Sequence, residues 1–196
     1  MKKLVLITPA LLAPSIAWAH SAEGFGGGFS SGFAHPFMGP DHLAAMVAVG
    51  IWGSQLGMPL LVALPVAFPL MMAVGAMFGM AFGPLGVIEL GVAASALALG
   101  LAVLMRWRPS STGIAVALVA AFALFHGYAH GGELDPAANP AAYVFGFVIG
   151  TGMLHLVGVG IGEIGARSGG GEKIVRGVGA LIAAAGAFFT LSAVGL

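Results

Sequence analysis

Three metal-ligating side chains, His35, Asp41 and His42, fall within eight residues, where an apolar run begins. A second group, His126, His130 and Glu133, sits in L-F-H-G-Y-A-H-G-G-E. A spacing of four puts His126 and His130 on one helix face, about one turn apart. Glu133 returns to that face if the helix continues. His155 stands alone in T-G-M-L-H-L-V-G. Imidazole and carboxylate suit borderline divalent ions such as nickel, cobalt, zinc, iron or copper(II). The chain has no cysteine, which excludes disulfides and thiolate metal sites. H-x5-D-H matches no closed structural zinc pattern, and a transport site must let its ion leave. The plain alternative is a hydrogen-bonded cluster that holds helices together. Asp41 has two readings: a metal ligand, or an N-cap that accepts backbone N–H groups. Only neutral imidazole binds metal, so metal binding at these residues is expected to fall below an external pH of about 6.

The surroundings are oily. Of 196 residues, 59% are hydrophobic and 7% charged, and the mean hydropathy is +1.04. Soluble domains hold roughly 45–50% apolar residues. The fold class expected is therefore all-α, a polytopic membrane helix bundle in a lipid bilayer. Zero net charge offers no basic patch for nucleic acid. Frequent glycine, 33 residues, suits helices that approach closely in lipid. Walker, Gly-rich nucleotide and nucleophile-elbow motifs are absent, so no enzyme is expected.

Residues 1–19 read as a signal peptide: Lys2 and Lys3, a short apolar run, then Ala17-Trp18-Ala19 as a small-x-small cleavage site. Residues 20–34 read as a flexible periplasmic lead-in rich in Gly, Ser and Phe. Residues 35–196 are expected to form a six-helix transmembrane domain, read as a permease. Six spanning helices are expected, near 41–56, 59–82, 86–105, 112–130, 141–164 and 174–194. The first is short, with 33–40 folding over it as a re-entrant loop. His155 then lies roughly 21 Å down its helix, near or beyond the midplane. With residue 20 outside, loops 106–111 and 165–173 fall inside, and all five Lys/Arg residues after the signal peptide lie on the cytoplasmic side. No internal repeat is evident. Met38 and Met46 read as packing residues. Glu89 and Glu163 read as relays or as interface groups.

H-P-F-M-G-P-D-H-L-A-A-M-V-A-V-G-I-W at 35–52 and F-H-G-Y-A-H-G-G-E at 125–133, with G-T-G-M-L-H at 150–155, resemble the HupE/UreJ proteins. These are small secondary permeases for nickel, in some members cobalt, associated with hydrogenase and urease maturation. The resemblance covers the whole chain. It implies that His35, Asp41 and His42 are essential for uptake, followed by His130, Glu133 and His155. It also implies a transported Ni2+ ion as cargo, no resident cofactor, and a multi-pass location in the bacterial inner membrane with the mature N-terminus periplasmic. Two rival classes are a metal-binding assembly factor or sensor, which would hand ions to a partner, and an intramembrane metal-dependent enzyme. The second lacks H-E-x-x-H.

Overall fold

The computed structural model describes residues 28–132, 134 and 139–195. Among them every regular element is helical. A short helix, α1 (Phe29–Ala34), leads through a 3-10 turn (His35–Phe37) into α2 (Pro40–Leu56). Then follow α3 (Leu60–Phe82), α4 (Gly86–Met105), α5 (Thr112–Gly132), α6 (Pro140–Arg167) and α7 (Gly171–Ala193). The expected signal peptide and Glu133 lie outside the described residues.

Local chemistry sets these boundaries. Pro40 takes the first position of α2, where its missing N–H is not needed. Gly57 and Gly83 end α2 and α3 at φ 74°, a backbone region that L-residues with a Cβ rarely enter. Asn139 caps α6, its side-chain oxygen accepting the Ala142 N–H at 3.0 Å. The last carbonyls of α4 are met from other helices. Gln55 Nε2 donates to the Val103 oxygen and Arg176 Nε to that of Leu104, so these helix-end acceptors are not left unpaired.

Two sequence expectations need correction. Five helices, α3 to α7, are long and apolar enough to cross a membrane, not six. At 17 residues, α2 is about 26 Å long, short of the roughly 30 Å hydrocarbon core. It serves as the central post of the bundle: His42 and every residue from Ala44 to Gly53 are buried. The second correction concerns residues 29–34, expected as part of a flexible lead-in, which form α1. Gly32 lies so close to the Tyr143 carbonyl of α6 that an added Cβ would sit 2.0 Å from that oxygen.

The long helices are joined as three pairs. On α3 and α5, Gly75, Gly79, Gly127 and Gly131 bring the backbones together; a Cβ on any of them would lie 2.0–2.3 Å from a carbonyl oxygen of the partner helix. Gly50 and Gly158 do the same for α2 and α6, while Gly100, Gly179 and Gly186 join α4 to α7. Small residues are what helix association in lipid uses, because packing replaces the hydrophobic drive available in water. Outward faces carry large apolar side chains such as Leu70, Phe82, Leu156 and Leu181, each more than 60% exposed. A surface this apolar belongs in lipid, and the chain is a multi-pass membrane protein.

Among the described residues the cationic side chains gather at one end. Arg106 pairs with Glu172 at 2.8 Å, Arg108 reaches the Gln55 carbonyl at the end of α2, and Trp107 stacks on Trp52 with ring centres 5.5 Å apart. Ser54 donates to Glu163, which also meets Arg167. Glu163, read from sequence as a relay or an interface group, thus ties the end of α2 to α6. The helix ends that carry His35 and His130 are at the opposite pole.

Candidate functional site

The chain folds so that five histidines meet around α2. His35 stands in the turn between α1 and α2, held there by Pro36, which is buried beside the position of Gly150 on α6. His42 lies in the first turn of α2. His126 and His130 come from the end of α5, and the flanking Gly127 and Gly131 let that end press on α3. His155 comes from the middle of α6. His126 and His155 are fully buried and His130 nearly so.

The rings form a file. His35 meets His130 edge-on, ring centres 4.5 Å apart. His130 lies 4.4 Å from His42, and His42 lies 4.7 Å from His126. His126 and His130 share one face of α5, as their spacing of four foretold, and the imidazole of His42 on α2 touches both. Between His126 and His155 stands Phe68 of α3, 5.4 Å from the first and 5.2 Å from the second. Tyr143 and Phe147 line the outer part, Phe147 at 4.3 Å from His130. Among the described residues, no three histidine or carboxylate side chains converge to hold one ion. The arrangement is a succession of single and paired imidazoles, not a cage.

Hydrogen bonds assign the free nitrogens. Asp41 Oδ1 accepts both the backbone N–H of His42 at 2.9 Å and its ring Nδ1–H at 3.0 Å. The proton is thereby placed on Nδ1, and Nε2 carries a lone pair with no protein partner. Carboxylates orient metal-binding imidazoles in this way. Asp41 is not the N-cap: that position is Gly39, without a side-chain cap bond. The Asp41 carboxylate serves the residue beside it. Ser95 of α4 does the same for His126. Its hydroxyl donates to the Val92 carbonyl at 2.6 Å and lies 2.7 Å from His126 Nε2. With its proton committed, Ser95 accepts from Nε2–H, which leaves Nδ1 of His126 as the lone-pair nitrogen, also unpartnered. Neither ring nitrogen of His130 has a partner among the described residues. His155 lies near the Pro65 carbonyl without closing a hydrogen bond. That carbonyl has no helical donor, because residue 69 is proline.

His35 lies outside the spanning helices. Burial, followed by the neighbouring His42, lowers its pKa to about 4. This shifts the pH expectation. On this value His35 stays neutral down to about pH 5 and takes up its proton only near pH 4. Stability carries the same mark. The unfolded chain binds the proton from pH 6.5 downward and the folded chain does not, so stability falls between pH 6.5 and 4, by an amount of order 3 kcal/mol. His35→Gln should flatten the drop in melting temperature between pH 7.5 and 5; a drop equal to the parent's would show that His35 is not the buried neutral group.

Phe68 and Ser95 escaped the sequence reading. A phenylalanine in an apolar run has no signature, although Pro65 and Pro69 on either side mark the segment. A lone serine gives no signal at all. Met46 is buried as packing, as expected, while Met38 is half exposed in the turn. Glu89 lies in the first turn of α4, where a carboxylate complements the helix dipole.

A family model described as HupE / UreJ protein matches residues 8–189. Protein HupE of Rhizobium leguminosarum bv. viciae is 39% identical over 186 residues, covering 94% of this chain and 95% of that protein. No solved structure matches the chain.

Proposed function

The chain belongs to the HupE/UreJ family, and we propose that it is a secondary transporter of divalent transition-metal ions. Ni2+ is the leading cargo, taken up across the bacterial inner membrane for hydrogenase or urease maturation. The observation that carries this reading is the file of imidazoles that begins at His35 and continues inward through His42, His126, His130 and His155, which are buried and carry unpartnered nitrogens. Buried polar atoms without partners are costly, and ionisable groups inside a bilayer lean toward function. One- and two-imidazole stations bind an ion without trapping it, which passage requires. His35, His42, His126, His130 and His155 are the proposed stations, with Asp41 as the residue that sets His42; Glu133 belongs with them on sequence grounds.

Direction follows from charge. Every Lys and Arg among the described residues lies at or beyond the charged end, away from His35 and His130. By the positive-inside rule that end is cytoplasmic, so the imidazoles open to the periplasm. Removal of residues 1–19 as a signal peptide fits the same orientation.

Purified protein in liposomes loaded with a nickel-sensitive dye tests the reading. Saturable dye quenching, competed by external cobalt more than by zinc, copper or iron, is the expected result. Metal that binds the vesicles but never reaches the interior would instead indicate an assembly factor or sensor.

A further inference from the structure

On α6, Tyr143, Phe147, Thr151 and His155 are all buried and follow one another every four residues, so they share one face, a turn apart. Phe147 rests on His130, and His155 rests on Phe68. Thr151 is midway between them. The register of α2 against α6 places it more closely. Gly50 faces Gly158, and Ser54 faces Gly162, so both helices run the same way with a constant offset. Continued toward the His35 end, that offset sets Thr151 level with Leu43, next to His42.

Thr151 is fully buried, and its hydroxyl has no hydrogen-bond partner among the described residues. This is unusual for a helix. A threonine or serine there commonly returns its hydroxyl to the carbonyl of the preceding turn. Thr190 does so to Gly186 at 2.7 Å, and Ser168 to Ile164. Thr151 does not, although it is shut away from solvent, where an unpaired hydroxyl costs free energy. Most of the other buried unpartnered atoms of the spanning helices are nitrogens of His126, His130 and His155, with His42 Nε2 beside them.

We propose that Thr151 is an oxygen-donor station on the permeation path, receiving the partly hydrated divalent cation between the outer imidazoles and His155. The inference rests on the transport reading above. A hydroxyl offers one donor and two acceptor lone pairs, so it can ligate the cation or hold one of its waters without any change of protonation. It supplies a polar foothold on the α6 face between Phe147, which touches His130, and His155, which touches Phe68. Its role is in passage and not in capture, because His35, His130 and His42 precede it.

The test uses full-length protein in nickel-assay liposomes, with equal protein incorporation and matched melting temperatures. Thr151→Val replaces the hydroxyl by a methyl of the same shape; Thr151→Ser keeps the hydroxyl. The expected result for valine is a maximal nickel flux at least tenfold lower, with half-saturation within twofold of the parent. Serine should restore at least half of the flux. If valine does not insert, Thr151→Ala stands in, with the same loss expected. Parental flux in the valine or alanine variant overturns the proposal. So does a serine variant as slow as valine, since packing would then be the cause, and so does a raised half-saturation at full flux. A parent chain that carries no metal overturns the transport reading and this inference with it, whereas a working parent with an unaffected valine variant overturns this inference alone.

Discussion

A His42→Ala variant is expected to take up nickel at least about 100-fold more slowly than the parent chain. His42 is the middle of the imidazole file, in contact with His130 on one side and His126 on the other. Alanine removes the one nitrogen that links the two histidines of α5. Changing a residue that only orients a metal ligand costs roughly 10–100-fold in affinity or activity; losing the ligand itself costs at least as much. Asp41→Asn separates the two cases. The amide oxygen can still accept both N–H groups of His42, but without the carboxylate charge it holds the ring proton on Nδ1 less strongly. If Asp41 acts through His42, the asparagine variant keeps a residual flux between that of the parent and that of His42→Ala. Equal loss in both variants would mean that Asp41 contacts the metal itself. Parental flux in His42→Ala, at equal protein level, would remove the file from the mechanism.

Gly127→Val should deprive the membrane of folded protein. A Cβ at 127 would stand 2.0 Å from the Met72 carbonyl oxygen, with the Met72 Cα and carbonyl carbon within 2.8 Å. All three are helix backbone, and no side chain can swing aside. Overpacking by a methylene in a yielding core costs about 1–3 kcal/mol; here α3 and α5 would have to separate along their length, and His126 and His130 would leave His42. The expected cost exceeds roughly 4 kcal/mol, a size reserved for such backbone collisions. Gly152→Ala is the control. Nothing lies within 4 Å of the point where its Cβ would stand, and alanine gains about 1 kcal/mol of helix propensity. Membrane levels and melting in detergent read both variants; a Gly127→Val chain as abundant and stable as Gly152→Ala would refute the close-packed α3–α5 seam.

The long helices were legible because each is an apolar run closed by Gly, Pro or a charged turn. Gly57, Gly83 and the Asn139-Pro140 pair mark boundaries that local chemistry alone decides. What the sequence could not display depends on partners distant in the chain. Nothing about F-S-S-G-F-A announces a helix; α1 forms because Gly32 fits against the Tyr143 backbone. The length of α2 was visible, but not its place at the centre, since an apolar face looks the same toward lipid or protein. The histidines could be grouped from their spacing and topology. Their order along the file could not, because it is set by how α2, α5 and α6 lean together. Asp41 was left between two roles by its position near a helix start; the structure gives the N-cap position to Gly39 and sets the Asp41 carboxylate 3.0 Å from Nδ1 of His42.

The glycine seams have a mechanical consequence. They weld α2 to α6 as one body and α3 to α5 as another, so distances within each body are fixed. The file crosses from body to body at nearly every step: His35 on the first, His130 on the second, His42 on the first, His126 and Phe68 on the second, His155 on the first. A small slide of one body past the other therefore lengthens some hops and shortens others in a single stroke.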